Sequence, residues 1–299
     1  MALVVGATGL LGFEICRQLR QHGTPVAALV RGRSPTTAHL EDLGAQLVFG
    51  DLKDRASLET ACAGQPSVVS TANSVSRRQR GDSIATVDRD GHANLLAAAR
   101  ARGVRRFVFT SVSPNAPATN PLIRAKRAVE SLARASGLAW INLQAPAFID
   151  IWLSPILGWD LARGRARVIG AGTAACSYIA VADVAAFAVA ALTRPELENR
   201  DLAIGGPEAL TATEVVAICE QVTGRRFTVQ HVPVPVLRVV SAALRPFAPI
   251  PSSLMDMGAQ MATRGDRIDS SALAADLGIR LTSVREYVAR VTAGSAPPA

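Results

Sequence analysis

Val4-Val5-Gly6-Ala7-Thr8-Gly9-Leu10-Leu11-Gly12 opens the chain and decides its fold. Its first residues continue an apolar run from Leu3, and its last begin the helical pattern Leu11–Gln21. Between them glycines recur as G-x-x-G-x-x-G. A strand that turns straight into a helix in this way needs glycine for three reasons. The turn is tight, the backbone must approach a pyrophosphate, and the helix must pack close on the strand. The helix N-terminus then offers unpaired N–H groups and a positive dipole end to phosphate. The segment predicts a dinucleotide-binding turn with Gly6, Thr8, Gly9, Leu10, Leu11 and Gly12 as its cofactor contacts.

Outward from this turn, short apolar runs alternate with helical stretches. Leu3–Val5, Val26–Val30, Gln46–Phe49, Val68–Thr71, Phe107–Thr110 and Trp140–Leu143 read as strands buried on both faces. Leu11–Gln21, Ser57–Ala63, Ile84–Arg102 and Ile123–Ser136 read as the helices between them. Regular alternation with right-handed crossovers predicts an α/β fold, a doubly wound parallel sheet of the Rossmann type. After residue 146 the rhythm changes to helices (Val181–Thr193, Ala212–Val222, Val234–Leu244, Ser283–Val291) joined by short strands and Pro/Gly turns. The expected division is a dinucleotide-binding domain over 1–146, a smaller, mostly helical substrate region over 147–293 intertwined with it, and a frayed tail over 294–299.

With 299 residues and 49% hydrophobic side chains, the chain can build a real core and is not a disordered sequence. Cys16, Cys62, Cys176 and Cys219 are scattered, with no Cys/His cluster. That argues against a metal site or a disulfide scaffold and fits a reducing, cytoplasmic compartment. No uncharged run reads as a membrane span, and the apolar N-terminus lacks the basic flank of a signal peptide. The net charge of +8 raises nucleic acid or an acidic membrane surface as partners. Aromatic residues make up only 4% of the chain, and no basic stripe is interleaved with them, so nucleic acid is set aside. Thirty of the 32 basic residues are Arg, which reads as compositional bias.

The end of the second strand, Ala28-Leu29-Val30-Arg31-Gly32-Arg33-Ser34, carries the second signal. An NAD-binding unit has an acidic residue there, about 20 residues past the glycines, on the ribose hydroxyls. This chain has Arg31 and Arg33, and a guanidinium pairs with a 2′-phosphate that a carboxylate would repel. NADP(H) is the expected cofactor. Asp51 and Leu52, after the third strand, fall beside the adenine. Thr71, Ala72 and Asn73, after the fourth, fall on the nicotinamide side. Arg77, Arg78 and Arg80, with Arg31, Arg33 and Lys126, make the mouth of the crevice positive. Arg100, Arg102, Arg105 and Arg106 fall at the opposite end as a solvated face.

These residues resemble the atypical short-chain dehydrogenase/reductase superfamily, in its NmrA-like and isoflavone-reductase-like branch. The likeness rests on VVGATGLLG, LVRGRS (29–34), GDLKD (50–54), GHANLLAAARARGVRRFVFTSVS (91–113), IRAKRAVESLARASGL (123–138), YIAVADVA (178–185) and IGGPEALTATEVV (204–216). It implies an NADPH-dependent oxidoreductase acting on a small molecule. Ser111 and Pro146, after the fifth and sixth strands, complete the implied cofactor contacts. The chain also departs from the superfamily. In Tyr-x-x-x-Lys the lysine is Lys126, but the tyrosine position holds Leu122, and the usual catalytic serine falls near Val112, between Ser111 and Ser113.

Lys126 is one of only two lysines, which suggests a need for ammonium rather than guanidinium chemistry. It is the expected catalytic residue, orienting the nicotinamide ribose and serving as a proton relay. Tyr178 is a substitute donor or a core residue. Asp183 is a helix cap or a substrate contact. His92 reads as structural. Phe148, Trp152 and Trp159 line an apolar pocket or pack the helical region. The expected activity is hydride transfer from NADPH to a small apolar carbonyl, enone or imine, with no metal. The alternative is a non-catalytic NADP(H)-binding sensor or assembly factor of the NmrA type. A homodimer is left open.

Overall fold

A computed structural model describes residues 1–75 and 78–294. Arg77, expected at the crevice mouth, and tail residues 295–299 lie outside the described residues. The strands are β1 (Ala2–Val5), β2 (Val26–Val30), β3 (Gln46–Phe49), β4 (Ser67–Ser70), β5 (Arg106–Val112), β6 (Ala139–Ala145), β7 (Arg165–Ile169), β8 (Ala175–Cys176), β9 (Arg200–Ala203), β10 (Leu210–Thr211) and β11 (Thr228–Val232). The helices are α1 (Leu10–Gln21), α2 (Pro35–Asp42), α3 (Arg55–Cys62), α4 (Asp90–Ala101), α5 (Pro121–Arg134), α6 (Ile149–Trp152), α7 (Val181–Thr193), α8 (Ala212–Thr223), α9 (Val234–Leu244), α10 (Pro249–Arg264), α11 (Ser271–Asp276) and α12 (Val284–Thr292).

Seven strands form one sheet in the order β3-β2-β1-β4-β5-β6-β9, and the ladders from β3 through β5 are parallel. Strand order reverses between β1 and β4, so a crevice opens there beyond the carboxyl ends of the strands. The continuous apolar runs are continuous because both faces are covered: β1, β2 and β4 are buried along their whole lengths. α1 buries Leu11, Ile15, Cys16 and Leu19, one stripe at helical spacing. Phe107 and Phe109 of β5 are wholly enclosed in the core.

The chain divides into two compact units. The first contains Met1–Val112, Ala118–Gln144 and Val184–Leu202. Residues 184–202 lie past the expected boundary at 146, and specific bonds account for their place beside the sheet. Arg106 donates to the Leu192 carbonyl at 2.5 Å and pairs with Glu198. The Asn199 amide donates to Trp140 at 2.7 Å, and Asn142 Nδ2 donates to Asp201 at 2.8 Å. Arg106 is therefore an anchor rather than part of a solvated face.

The second unit contains Ser113–Pro117, Ala145–Asp183 and Ala203 onward. It pairs β7 with β11 in parallel and β8 with β10 antiparallel, and it packs α8 on α12 and α9 on α10. Trp159 is buried in its core with Val168, Val215 and Tyr287, so its indole is a packing group. Phe148 and Trp152 are half-buried. Asp183 accepts from the Thr282 amide at 2.7 Å and the Thr282 hydroxyl at 2.9 Å, tying the start of α7 to the turn before α12. Tyr178 packs against the same core, and burial raises the pKa of its hydroxyl, which disfavours proton donation. No helix among the described residues is long and apolar enough to cross a membrane.

Candidate functional site

The turn after β1 is built by contacts that only glycine permits. Gly6 sits at φ +88°, and a Cβ there would lie 2.8 Å from the Ala72 nitrogen and from Thr71 Oγ1. β4 therefore approaches β1 closely, with the Thr71 amide donating to the Val5 carbonyl at 2.9 Å. The Gly9 amide donates to the Gly6 carbonyl at 2.9 Å and closes the turn. Gly12 carries the tightest contact: a Cβ would lie 2.2 Å from the Gly6 carbonyl oxygen. Its role is to seat α1 against the turn.

These contacts leave a cleft lined by Val5, Gly6, Thr8 and Gly9, by Leu29, Val30 and Arg31, by Gly50, Asp51 and Leu52, by Thr71, Ala72 and Asn73, and by Val87. Nine of the expected contacts thus share one wall system: Gly6, Thr8, Gly9, Arg31, Asp51, Leu52, Thr71, Ala72 and Asn73. Gly12 and Leu11 lie behind it, and Leu10 is exposed at the start of α1. The cleft passes a steric test for pyrophosphate. Apart from the Gly6 carbonyl at 3.3 Å, a Cβ on Gly9 would meet nothing within 4 Å, so this wall is bare backbone. Gly9 is the N-cap of α1 and supplies no side-chain cap, which leaves first-turn N–H groups for an anion.

The far wall is held by its own hydrogen bonds. Asp51 accepts from the Lys53 amide at 2.8 Å, and its own amide donates to Ser57 Oγ at 3.1 Å. Asn94 holds the Leu52 carbonyl at 3.2 Å, and Gly91 lets α4 come down on Leu52. Asn73 accepts from the Val75 amide at 2.9 Å, a turn-forming bond. The two arginines after β2 diverge. Arg31 lines the cleft and pairs with Asp82 at 2.5 Å. Arg33 is outside the lining, well exposed, and pairs with Glu41 of α2 at 3.2 Å. Arg78 and Arg80 are exposed.

Lys126 is buried on α5. Its Nζ donates to the Thr110 carbonyl at 3.0 Å and lies 4.6 Å from the centre of the Phe109 ring. Burial lowers its pKa, and the Asp88 and Glu130 carboxylates only partly oppose that. Leu122, in the tyrosine position one turn earlier, is buried. Ser111 is buried on β5, and its hydroxyl has no hydrogen-bond partner among the described residues. Pro146 belongs to the second unit.

Asp88 stands beside Lys126 without a signal in the sequence. It is fully buried, accepts from the Ser74 amide at 3.2 Å, and its Oδ1 has no partner among the described residues. Burial raises its pKa, against the pull of Lys126. The expected continuous helix over Ile84–Arg102 is in fact a π-helical segment, Ile84–Arg89, followed by α4. The wider turn changes the helical phase and brings Val87 to the cleft and Asp88 inward, which a 3.6-residue reading cannot foresee. His92 is structural, as expected: its ring bonds Ser70 at 2.9 Å and the Val87 carbonyl at 3.0 Å. Burial drives its pKa down to about 3, so the ring is neutral. No group of three or more potential metal ligands occurs among the described residues.

A family model described as NmrA-like matches residues 1–287. The chain belongs to the NmrA-like family. The Rossmann fold is shared with the Escherichia coli NADPH-dependent quinone oxidoreductase QOR2, solved in complex with NADPH. That likeness has a TM-score of 0.76 at 24% identity, over 98% of this chain and 100% of that one. Among curated relatives, the photosystem II assembly factor Ycf39 of Trieres chinensis is 29% identical, over 80% of this chain and 74% of its own. A Streptomyces griseus (4-alkanoyl-5-oxo-2,5-dihydrofuran-3-yl)methyl phosphate reductase is 32% identical, over 82% of each chain. The curated relatives thus include a named reductase and a named assembly factor.

Proposed function

We propose that this NmrA-like protein is an NADPH-dependent reductase that transfers hydride to a small apolar carbonyl, enone or imine. The observation that carries the reading is the cleft at the sheet's switch point, where bare glycine backbone and Arg31 line one continuous wall. In that reading the first turn of α1 holds the pyrophosphate, Asp51 and Leu52 hold the adenine, and Arg31 holds the 2′-phosphate. The dinucleotide supplies the hydride when bound. Lys126 orients the nicotinamide ribose. One of its three N–H donors is spent on the Thr110 carbonyl, which fixes the direction of the ammonium. With Leu122 in the tyrosine position, Lys126 is the group that holds a proton near the reacting centre.

The second reading, a non-catalytic NADP(H)-binding assembly factor, is favoured by Leu122 and by the Ycf39 relative. NADPH deuterated at C4 separates the two. Incubated with carbonyl, enone and imine acceptors, the protein is expected to consume the cofactor and place deuterium on a carbon of the product. Tight NADPH binding with no turnover on any acceptor would favour the assembly factor.

A further inference from the structure

Asp82 makes contacts that a bound anion would make. Its side chain is only 3% exposed, although it lies in a turn between β4 and α4. One carboxylate oxygen accepts from Arg31 at 2.5 Å, and the other accepts from Lys53 Nζ at 2.6 Å. The Gln79 amide adds a third bond at 2.8 Å. Arg31 reaches it from the end of β2 and Lys53 from the end of β3. Both cations keep about a third of their side chains open, 30% and 28%. Burial by itself would raise the pKa of Asp82, but the bonds from Lys53, Gln79 and Arg31 outweigh it and hold the pKa at about 2. The carboxylate is charged at any working pH.

Lys53 also lies 3.7 Å from Asp51. Among the described residues, two cations therefore face two carboxylates at this corner. A phosphate monoester carries a charge of roughly −1.5 to −2 at neutral pH, more than one carboxylate. It can outcompete Asp82 for the same two cations, whereas a ribose hydroxyl cannot.

We propose that Arg31, Lys53 and Asp82 form one phosphate-selecting unit, in which Asp82 is an internal anion that a 2′-phosphate displaces. This rests on the dinucleotide reading of the cleft. It adds Lys53 as a second phosphate ligand and Asp82 as the group that sets the threshold for binding. Arg33 lies outside the cleft lining and is not part of the unit.

The test uses two fragments that differ only in the phosphate, 2′,5′-ADP and 5′-AMP, titrated calorimetrically into the full chain. Asp82→Asn keeps the shape and removes the charge. It is expected to tighten 2′,5′-ADP roughly tenfold and to leave 5′-AMP within about twofold. Lys53→Met is expected to weaken 2′,5′-ADP by roughly tenfold, again with 5′-AMP unchanged. If Asp82→Asn weakens both fragments alike, Asp82 only props its turn and the proposal fails. If Lys53→Met leaves 2′,5′-ADP unchanged, the unit does not exist. A wild-type preference for 2′,5′-ADP that neither variant alters sinks this proposal and spares the dinucleotide reading. A folded wild type that binds neither fragment sinks both.

Discussion

Gly12→Ala is expected to destabilise the protein by about 3 kcal/mol or more and to lower dinucleotide affinity by roughly two orders of magnitude. The reason is a contact between backbones. The added Cβ would lie 2.2 Å from the Gly6 carbonyl oxygen, 2.7 Å from its carbon and 2.9 Å from Ala7 Cα. None of these atoms is the end of a flexible side chain. Relief requires α1 to lift off the turn, which pulls its first N–H groups away from the pyrophosphate position and uncovers Leu11, Ile15 and Leu19. Gly9→Ala is the control. Its Cβ meets only the Gly6 carbonyl, at 3.3 Å, and otherwise points into open space. It should cost binding with little loss of stability. Urea denaturation and NADPH titration of the two variants check this. Equal stability of Gly12→Ala and wild type would contradict it.

Lys126→Met is expected to reduce turnover by roughly two to four orders of magnitude while changing NADPH affinity only severalfold. Methionine keeps the length and apolar stem, so the packing around Phe109 survives. What disappears is an ammonium held on the Thr110 carbonyl and sensed by Asp88. The pH profile provides a separate check. Burial lowers the Lys126 pKa, so the ammonium is lost at a pH below the ordinary lysine value of 10.5. Wild-type turnover should fall along an alkaline limb placed below that value, and the Lys126→Met remnant should lack the limb. If the limb persists in the variant, another group supplies the proton. If the variant loses NADPH binding and turnover equally, Lys126 acts only in binding.

The sheet was legible because β1, β2, β4 and β5 are buried on both faces and leave apolar runs with no polar alternation. α2 was not, because it buries only Thr37 and Leu40 and shows no periodicity. Its signal was the Ser34-Pro35 start, where Ser34 accepts from the Thr37 amide. α10 was hidden behind Pro249 and Pro251, which read as turn residues but occupy its first turn. The glycine turn could be read residue by residue, since its constraints are local. The π-turn at Ile84–Arg89 could not, so Asp88 was missed. The Arg31–Asp82–Lys53 cluster was equally hidden: its members are 51 and 29 residues apart, and only the sheet order brings them together. Arg33 looks equivalent to Arg31 in sequence, but it lies outside the cleft lining and pairs with Glu41 of α2.

In the proposed reading the cleft selects NADPH through Arg31. Equilibrium titration of the purified chain with NADPH and with NADH, repeated on Arg31→Ala, tests it most directly. NADPH is expected to bind about tenfold or more tighter than NADH in the wild type, with the difference sharply reduced in the variant and NADH affinity nearly unchanged. Equal affinities in the wild type, or a preference undiminished by Arg31→Ala, would contradict it.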